Sequence, residues 1–182
     1  MGVKTEQDFW IEMSIRETWT QAHFAGLAFS NIDRKTVGGT DGVFSSIHSF
    51  LSHCAMVSKM LKANYQNDSE SIGKILEITN NSPIHNRKFR NFLEHYDKEL
   101  KRWIKKKGID TNIGTYNVGP KSMIKIPNIL FVSHYDPSTN TYTFVDKDIN
   151  LGILHNEVEK IKNKANNWVR LVESGVNRPP FT

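Results

Sequence analysis

The segment Leu151–Ser174, LGILHNEVEKIKNKANNWVRLVES, decides the fold class. Leu154, Val158, Ile161, Ala165, Trp168 and Val172 recur at 4-3-4-3-4 spacing, the period of a helix with one buried face. The same stripe runs through Ile11, Ile15, Trp19, Ala22, Gly26 and Phe29 and predicts a helix over 6–29. It ends before the loop 31–42, where Gly38 and Gly39 interrupt any helix. A second long helix is predicted over 43–63, with Phe44, Ile47, Leu51, Cys54, Ala55, Ser58 and Leu61 inward. A shorter one starts near Ser69 or Ser71 and ends near Ile78. Ser82 is a good cap and Pro83 fits a first helical position, so a fourth strong helix is predicted over 83–106, stopped by Gly108. Lys105, Lys106 and Lys107 suit its negative C-terminal end.

Between 108 and 150 the pattern changes. β-Branched and aromatic residues alternate with turn formers. Strands are predicted over 128–135 and 141–146, joined by a turn at Asp136-Pro137-Ser138-Thr139-Asn140. Helices this long bury their stripes most simply against one another. The expected architecture is therefore mainly α, an up-and-down bundle of four to five helices in one domain over 1–182. A β-hairpin insertion at 108–150 precedes the last helix, and the tail 178–182 is expected to be loose.

The 182 residues suffice for one domain with a core, and 38% hydrophobic with 24% charged residues is a globular composition. No apolar run approaches the roughly 20 residues of a membrane span, and the polar N-terminus lacks a signal-peptide core. The single Cys54 allows no internal disulfide, so a reducing, cytoplasmic setting is the expectation. Net charge is +5 and the pI about 9.3, which permits an anionic partner. The excess is local. From His85 to Lys107 nine cations (Arg87, Lys88, Arg90, Lys98, Lys101, Arg102, Lys105, Lys106, Lys107) face three acids (Glu94, Asp97, Glu99), a balance of +6. A solvated helix face explains such a run as readily as a nucleic-acid surface does.

Within this run stands Arg90-Asn91-Phe92-Leu93-Glu94-His95. Arginine clamps phosphates and histidine moves protons near neutral pH, a pairing suited to cutting a phosphodiester. On a helical wheel Phe89, Phe92, Leu93, Tyr96, Leu100, Trp103 and Ile104 form an apolar arc of about 120°. Arg90 and His95 lie outside that arc, about 140° apart, so one helix makes a poor compact site. Two such helices across a homodimer axis could supply two arginines and two histidines to one groove.

The run Phe89 to Leu100 resembles the Arg-x4-6-His signature of the HEPN superfamily (higher eukaryotes and prokaryotes nucleotide-binding). Phe50-Leu51, Val57 to Leu61, Tyr135-Asp136-Pro137 and Tyr142-Thr143-Phe144 extend the likeness over most of the chain. The resemblance implies a dimeric helical bundle, and in many members a metal-independent ribonuclease of toxin–antitoxin or other defence systems. Carried over, His95 would be the general acid/base, Arg90 would stabilise transition-state charge, and Asn91 would orient the phosphate or the histidine. Arg87, Lys98, Lys101 and Arg102 would hold the RNA backbone. No cofactor or metal is implied. The expected partners are RNA or a nucleotide, a second copy and an antitoxin. The other class of function left open is a non-catalytic helical module that binds a nucleotide or a protein.

Other constellations read as structural. His48 and His53 are five apart, so they do not share a face as metal ligands would. His134 has no partner at useful spacing. Cys54 reads as a core thiol. Gly38 to Gly42 lacks the Lys-Ser/Thr of a phosphate loop, and the four tryptophans sit on or beside core stripes.

Overall fold

The computed structural model describes the chain except residues 1–4, 33–37, 68, 87–94, 109–111, 127–128 and 176–182. Three long helices carry the core: α1 (Glu6–Ile32), α2 (Gly39–Leu61) and α5 (Leu151–Glu173). α2 and α5 turn their predicted stripes inward, whereas in α1 the predicted Trp19 is 37% exposed and Thr18, Ala25 and Ala28 face the core instead. Ile15, Ala22 and Ala25 of α1 meet Ile47, Phe50, Leu51, Cys54 and Val57 of α2 and Val158, Ile161 and Ala165 of α5, all without exposed surface. Burying one such Ile or Leu contributes roughly 1.5–3 kcal/mol, so the helical stripes, not local propensity, hold these elements. α2 starts earlier than its apolar pattern because Gly38, at φ 89°, makes the left-handed turn that admits the helix. α5 is capped by the Asn150 side chain, which accepts from the Ile153 N–H at 2.8 Å.

α3 is a single turn, Ile72–Ile75, shorter than the predicted helix to Ile78. It docks where α2 ends: the Ile72 N–H donates to the Ala63 carbonyl at 3.0 Å. The contact is tight, since a Cβ on Gly73 would lie 2.8 Å from the Leu61 carbonyl oxygen.

Two expectations are corrected. The molecule is mainly α with a sheet, not a plain bundle carrying a hairpin. Strands β1 (Ile113–Val118), β2 (Leu130–Asp136), β3 (Thr141–Phe144) and β4 (Lys147–Asn150) form one sheet in the order β1-β2-β3-β4. β1 pairs parallel with β2, whereas β2–β3 and β3–β4 are antiparallel. The predicted second strand stops at Phe144 because Val145 turns with φ 48° and the chain returns as β4. Nor does the region hang from a bundle. Tyr135, Tyr142 and Phe144 are 2%, 0% and 0% exposed, and Phe44 of α2 sets its ring 4.7 Å from Tyr116 and 6.1 Å from Tyr142.

The second correction concerns the predicted helix 83–106. Ser82 and Pro83 do start a turn, but it is a 3-10 turn, Pro83–His85, that ends at Asn86 in extended geometry. α4 begins afresh at Tyr96 and runs to Lys107. His95 precedes it, at φ −131° and ψ 30°, so the wheel drawn continuously through Phe89 does not hold across His95.

Candidate nucleic-acid interface

α4 is amphipathic in a charged sense. Trp103, Tyr96 and Leu100 turn inward, and Trp103 is 4% exposed. Opposite them Lys98, Lys101, Arg102 and Lys105 share an arc of about 100° and are all exposed. Lys98, Lys101 and Lys105 make no ion pair among the described residues. Arg102 pairs with Glu99 at 3.2 Å, and Lys106 and Lys107 each reach Asp146 at 3.4 Å. Glu99 also takes Lys147 at 2.8 Å. That hydrogen bond is the main cause that holds its carboxyl below the usual range, with Arg102 and His95 adding their charge. Glu99 and Asp146 are thus matched by cations, whereas Lys98, Lys101 and Lys105 are exposed and carry no ion pair among the described residues.

The sheet positions the start of α4. Tyr96 packs its ring 4.5 Å from Phe144. Its hydroxyl is hydrogen-bonded with Tyr116 and Ser133, and the Ser133 hydroxyl lies 3.4 Å from that of Tyr142. Burial, then the neighbouring Tyr116, push the Tyr96 hydroxyl above the ordinary tyrosine value, and burial pushes Tyr142 much further. The Tyr96 and Tyr142 phenols therefore stay neutral donors through the physiological range. Further along, the Trp103 indole N–H donates to Asp146 Oδ1 at 3.1 Å on the β3–β4 turn. Burial raises the Asp146 carboxyl. The bonds from Trp103 and Lys106 and the charge of Lys107 outweigh it and bring the group below its usual value. α4 is pinned at both ends, and its cationic side points to solvent.

Each sequence-predicted residue can now be placed. His95 is exposed at the start of α4, where its carbonyl accepts from the Glu99 N–H at 3.0 Å. Lys98, Lys101 and Arg102 follow it along the exposed side. Arg87, Arg90 and Asn91 lie outside the described residues, as do Phe89, Phe92, Leu93 and Glu94 of the quoted motif.

The strand pairing assembles a group that spacing alone did not reveal. Asn117, His134, Thr143 and Asp148 sit opposite one another across β1, β2, β3 and β4, a polar row on the sheet face turned away from the helical core. Asn117 Nδ2 lies 2.9 Å from His134 Nδ1, and the Thr143 hydroxyl donates to Asp148 Oδ1 at 2.5 Å. His134 is 2% exposed and Phe131 lies near its ring, 6.0 Å between centroids. His134, Thr143 and Asp148 of this row line an open pocket of about 600 Å³ together with Trp103, Ile124, Ile126 and Asp146. The sequence held one signal for it: in β2 the polar His134 alternates with Ser133 and Tyr135, so it must face the other side of the sheet.

Compared with family models, curated proteins and solved structures, the chain matches none. The HEPN likeness therefore rests on the residues quoted from the sequence. Among the described residues no group of three His, Cys, Asp or Glu side chains could hold a metal ion, and no helix is long and apolar enough to cross a membrane. Cys54 is fully buried and burial pushes its thiol well up, as befits a core thiol.

Proposed function

We propose that this chain is a HEPN-like RNA-binding protein and a metal-independent endoribonuclease of the defence or toxin type, acting as a homodimer. What supports the reading is the outward cationic side of α4, with an exposed histidine at its head. Phosphates would lie along Lys98, Lys101, Lys105 and Arg102, which brings the backbone of a single strand past His95. The imidazole takes the proton of a ribose 2′-hydroxyl, and that oxygen attacks the adjacent phosphorus. The bond to the 5′-oxygen breaks, and the leaving oxygen is protonated by a second imidazolium, supplied by the other copy. The products are a 2′,3′-cyclic phosphate and a 5′-hydroxyl. Arg90 would neutralise the charge that builds on the non-bridging oxygens, and Asn91 would orient the phosphate or the histidine.

The test is cleavage of a mixed-sequence RNA in EDTA by wild type, Arg90→Ala and His95→Ala, with folding followed by circular dichroism. Cleavage by wild type alone supports the reading. Intact RNA under all three folded proteins overturns the ribonuclease assignment. In that event a second reading takes its place, a non-catalytic nucleotide-binding module. It is favoured by the cavity beneath Trp103, whose size suits a small planar ligand and whose His134–Thr143–Asp148 row offers polar contacts. Binding of a mononucleotide without cleavage would support that alternative.

A further inference from the structure

α1 is apolar on two opposite sides. Its core residues Ile11, Ile15, Thr18, Ala22 and Ala25 are 5% exposed or less. On the far side of the same helix stand Phe9, Met13, Phe24 and Leu27, which are 60%, 49%, 42% and 51% exposed. At 100° per residue these four fall within an arc of about 60°, directly opposite the core face. The residue that fills the gap in this arc is Thr20, whose hydroxyl already donates to the Arg16 carbonyl at 3.0 Å. Between Phe9 and Leu27 no charged residue falls in the arc. Arg16, on its flank, is tied to Glu12 and Glu173 at 2.9 Å each, which keeps the guanidinium off the stripe. A helix that is apolar on both sides is normally covered on both.

We infer that a second copy of this chain covers it, with the two α1 helices antiparallel across a two-fold axis at the level of residues 18–19 on the outward side that Thr20 marks. Two observations select this occupant. The stripe is nearly palindromic: positions 9, 13, 24 and 27 are spaced 4-11-3 in one direction and 3-11-4 in the other. An antiparallel copy therefore sets Phe9 against the partner's Leu27 and Met13 against the partner's Phe24, and the reciprocal pairs form as well. That is the self-complementarity an isologous interface requires. The area also fits. About half of four large side chains is on the order of 450 Å² of apolar surface. Phe24 rests against His53 of α2, 5.5 Å between ring centroids, and the neighbouring Met56 is 39% exposed. With these and the polar flanks the face approaches the roughly 800 Å² each partner gives to a stable interface.

This interface is argued from α1 alone and is separate from the composite site proposed above. Its test is made without RNA, so failure of the ribonuclease reading leaves it standing. The full chain at 50 μM should sediment at twice its 20.9 kDa mass. Met13→Glu with Phe24→Glu should sediment at the single mass with an unchanged helical circular dichroism signal. Register is read separately with Met13→Cys and Phe24→Cys chains, oxidised alone and as a mixture. The mixture should give a disulfide-linked heterodimer at least fivefold above either homodimer, and Cys54, fully buried, does not compete. A monomeric wild type, or a dimer that persists in the folded double variant, overturns the proposal. So does equal crosslinking of mixed and single species.

Discussion

Neutralising Lys98, Lys101 and Lys105 together as glutamines should change how RNA binding responds to salt. These three cations are exposed along one side of α4 and make no ion pair among the described residues. Glutamine has nearly the helix propensity of lysine, so α4 should form as before. Each phosphate neutralised on a single strand contributes about 0.7 to the slope of log affinity against log salt, so three lost contacts reduce the slope by about 2. Between 50 and 200 mM salt, wild-type affinity should thus fall about 20-fold more than that of the triple variant. Lys106 and Lys107 provide the control. Asp146 already holds both at 3.4 Å, so neutralising them should lower the slope by less than half as much. Fluorescence anisotropy of a labelled 20-nucleotide RNA across a salt series measures all three proteins. A triple variant that is folded and keeps the wild-type slope would refute the assignment of RNA to this side of α4.

Two predictions concern the scaffold. Gly73→Ala places a methyl 2.8 Å from a backbone oxygen of Leu61, which cannot move without disturbing the end of α2. The cost should be about 1–3 kcal/mol in urea denaturation, and an unchanged midpoint would contradict the close docking of α3. The second is a pH dependence. His48 and His155 are held below the ordinary value of 6.5, in each case first by burial. A lowered histidine binds fewer protons folded than unfolded, so stability rises with pH through the window just below 6.5 and is lost on acidification. Tm should fall between pH 7 and pH 5.5, above the range in which Glu99 and Asp146 titrate. His155→Gln, at a ring stacked 4.1 Å from Phe29, should flatten that slope while lowering Tm throughout. A Tm that rises on acidification would falsify this account of the buried histidines.

The long helices were legible because their signal is repetitive. The stripe of α5 repeats over six turns, and its buried residues are those the period selects. The sheet was only half legible. Thr141 to Phe144 announces itself by composition, but β1 contains Gly114 and Asn117 and finds its partner β2 in parallel across residues 119–129. Nothing local in Ile113–Val118 encodes that pairing. β4, with Lys147 and Asp148, likewise reads as loop until its partner is known. The helix over 83–106 failed for another reason. Ser82 and Pro83 signal how a helix starts and say nothing of its length, and Asn86 ends the turn three residues on. The site divides in the same way. The cation run of α4 and His95 could be read in the chain, whereas Tyr96, Tyr116, Ser133 and Tyr142, which pin that helix to the sheet, are joined only by strand register and tertiary packing.

In the proposed function RNA lies along the exposed side of α4. Photo-crosslinking of a 4-thiouridine RNA to the protein at 50 mM salt, with the linked peptides identified by mass spectrometry, tests this placement. Crosslinks should concentrate between His95 and Lys107 and be competed away by unlabelled RNA. Crosslinks concentrated instead on Phe131 and His134 of β2, or scattered without competition, would contradict it.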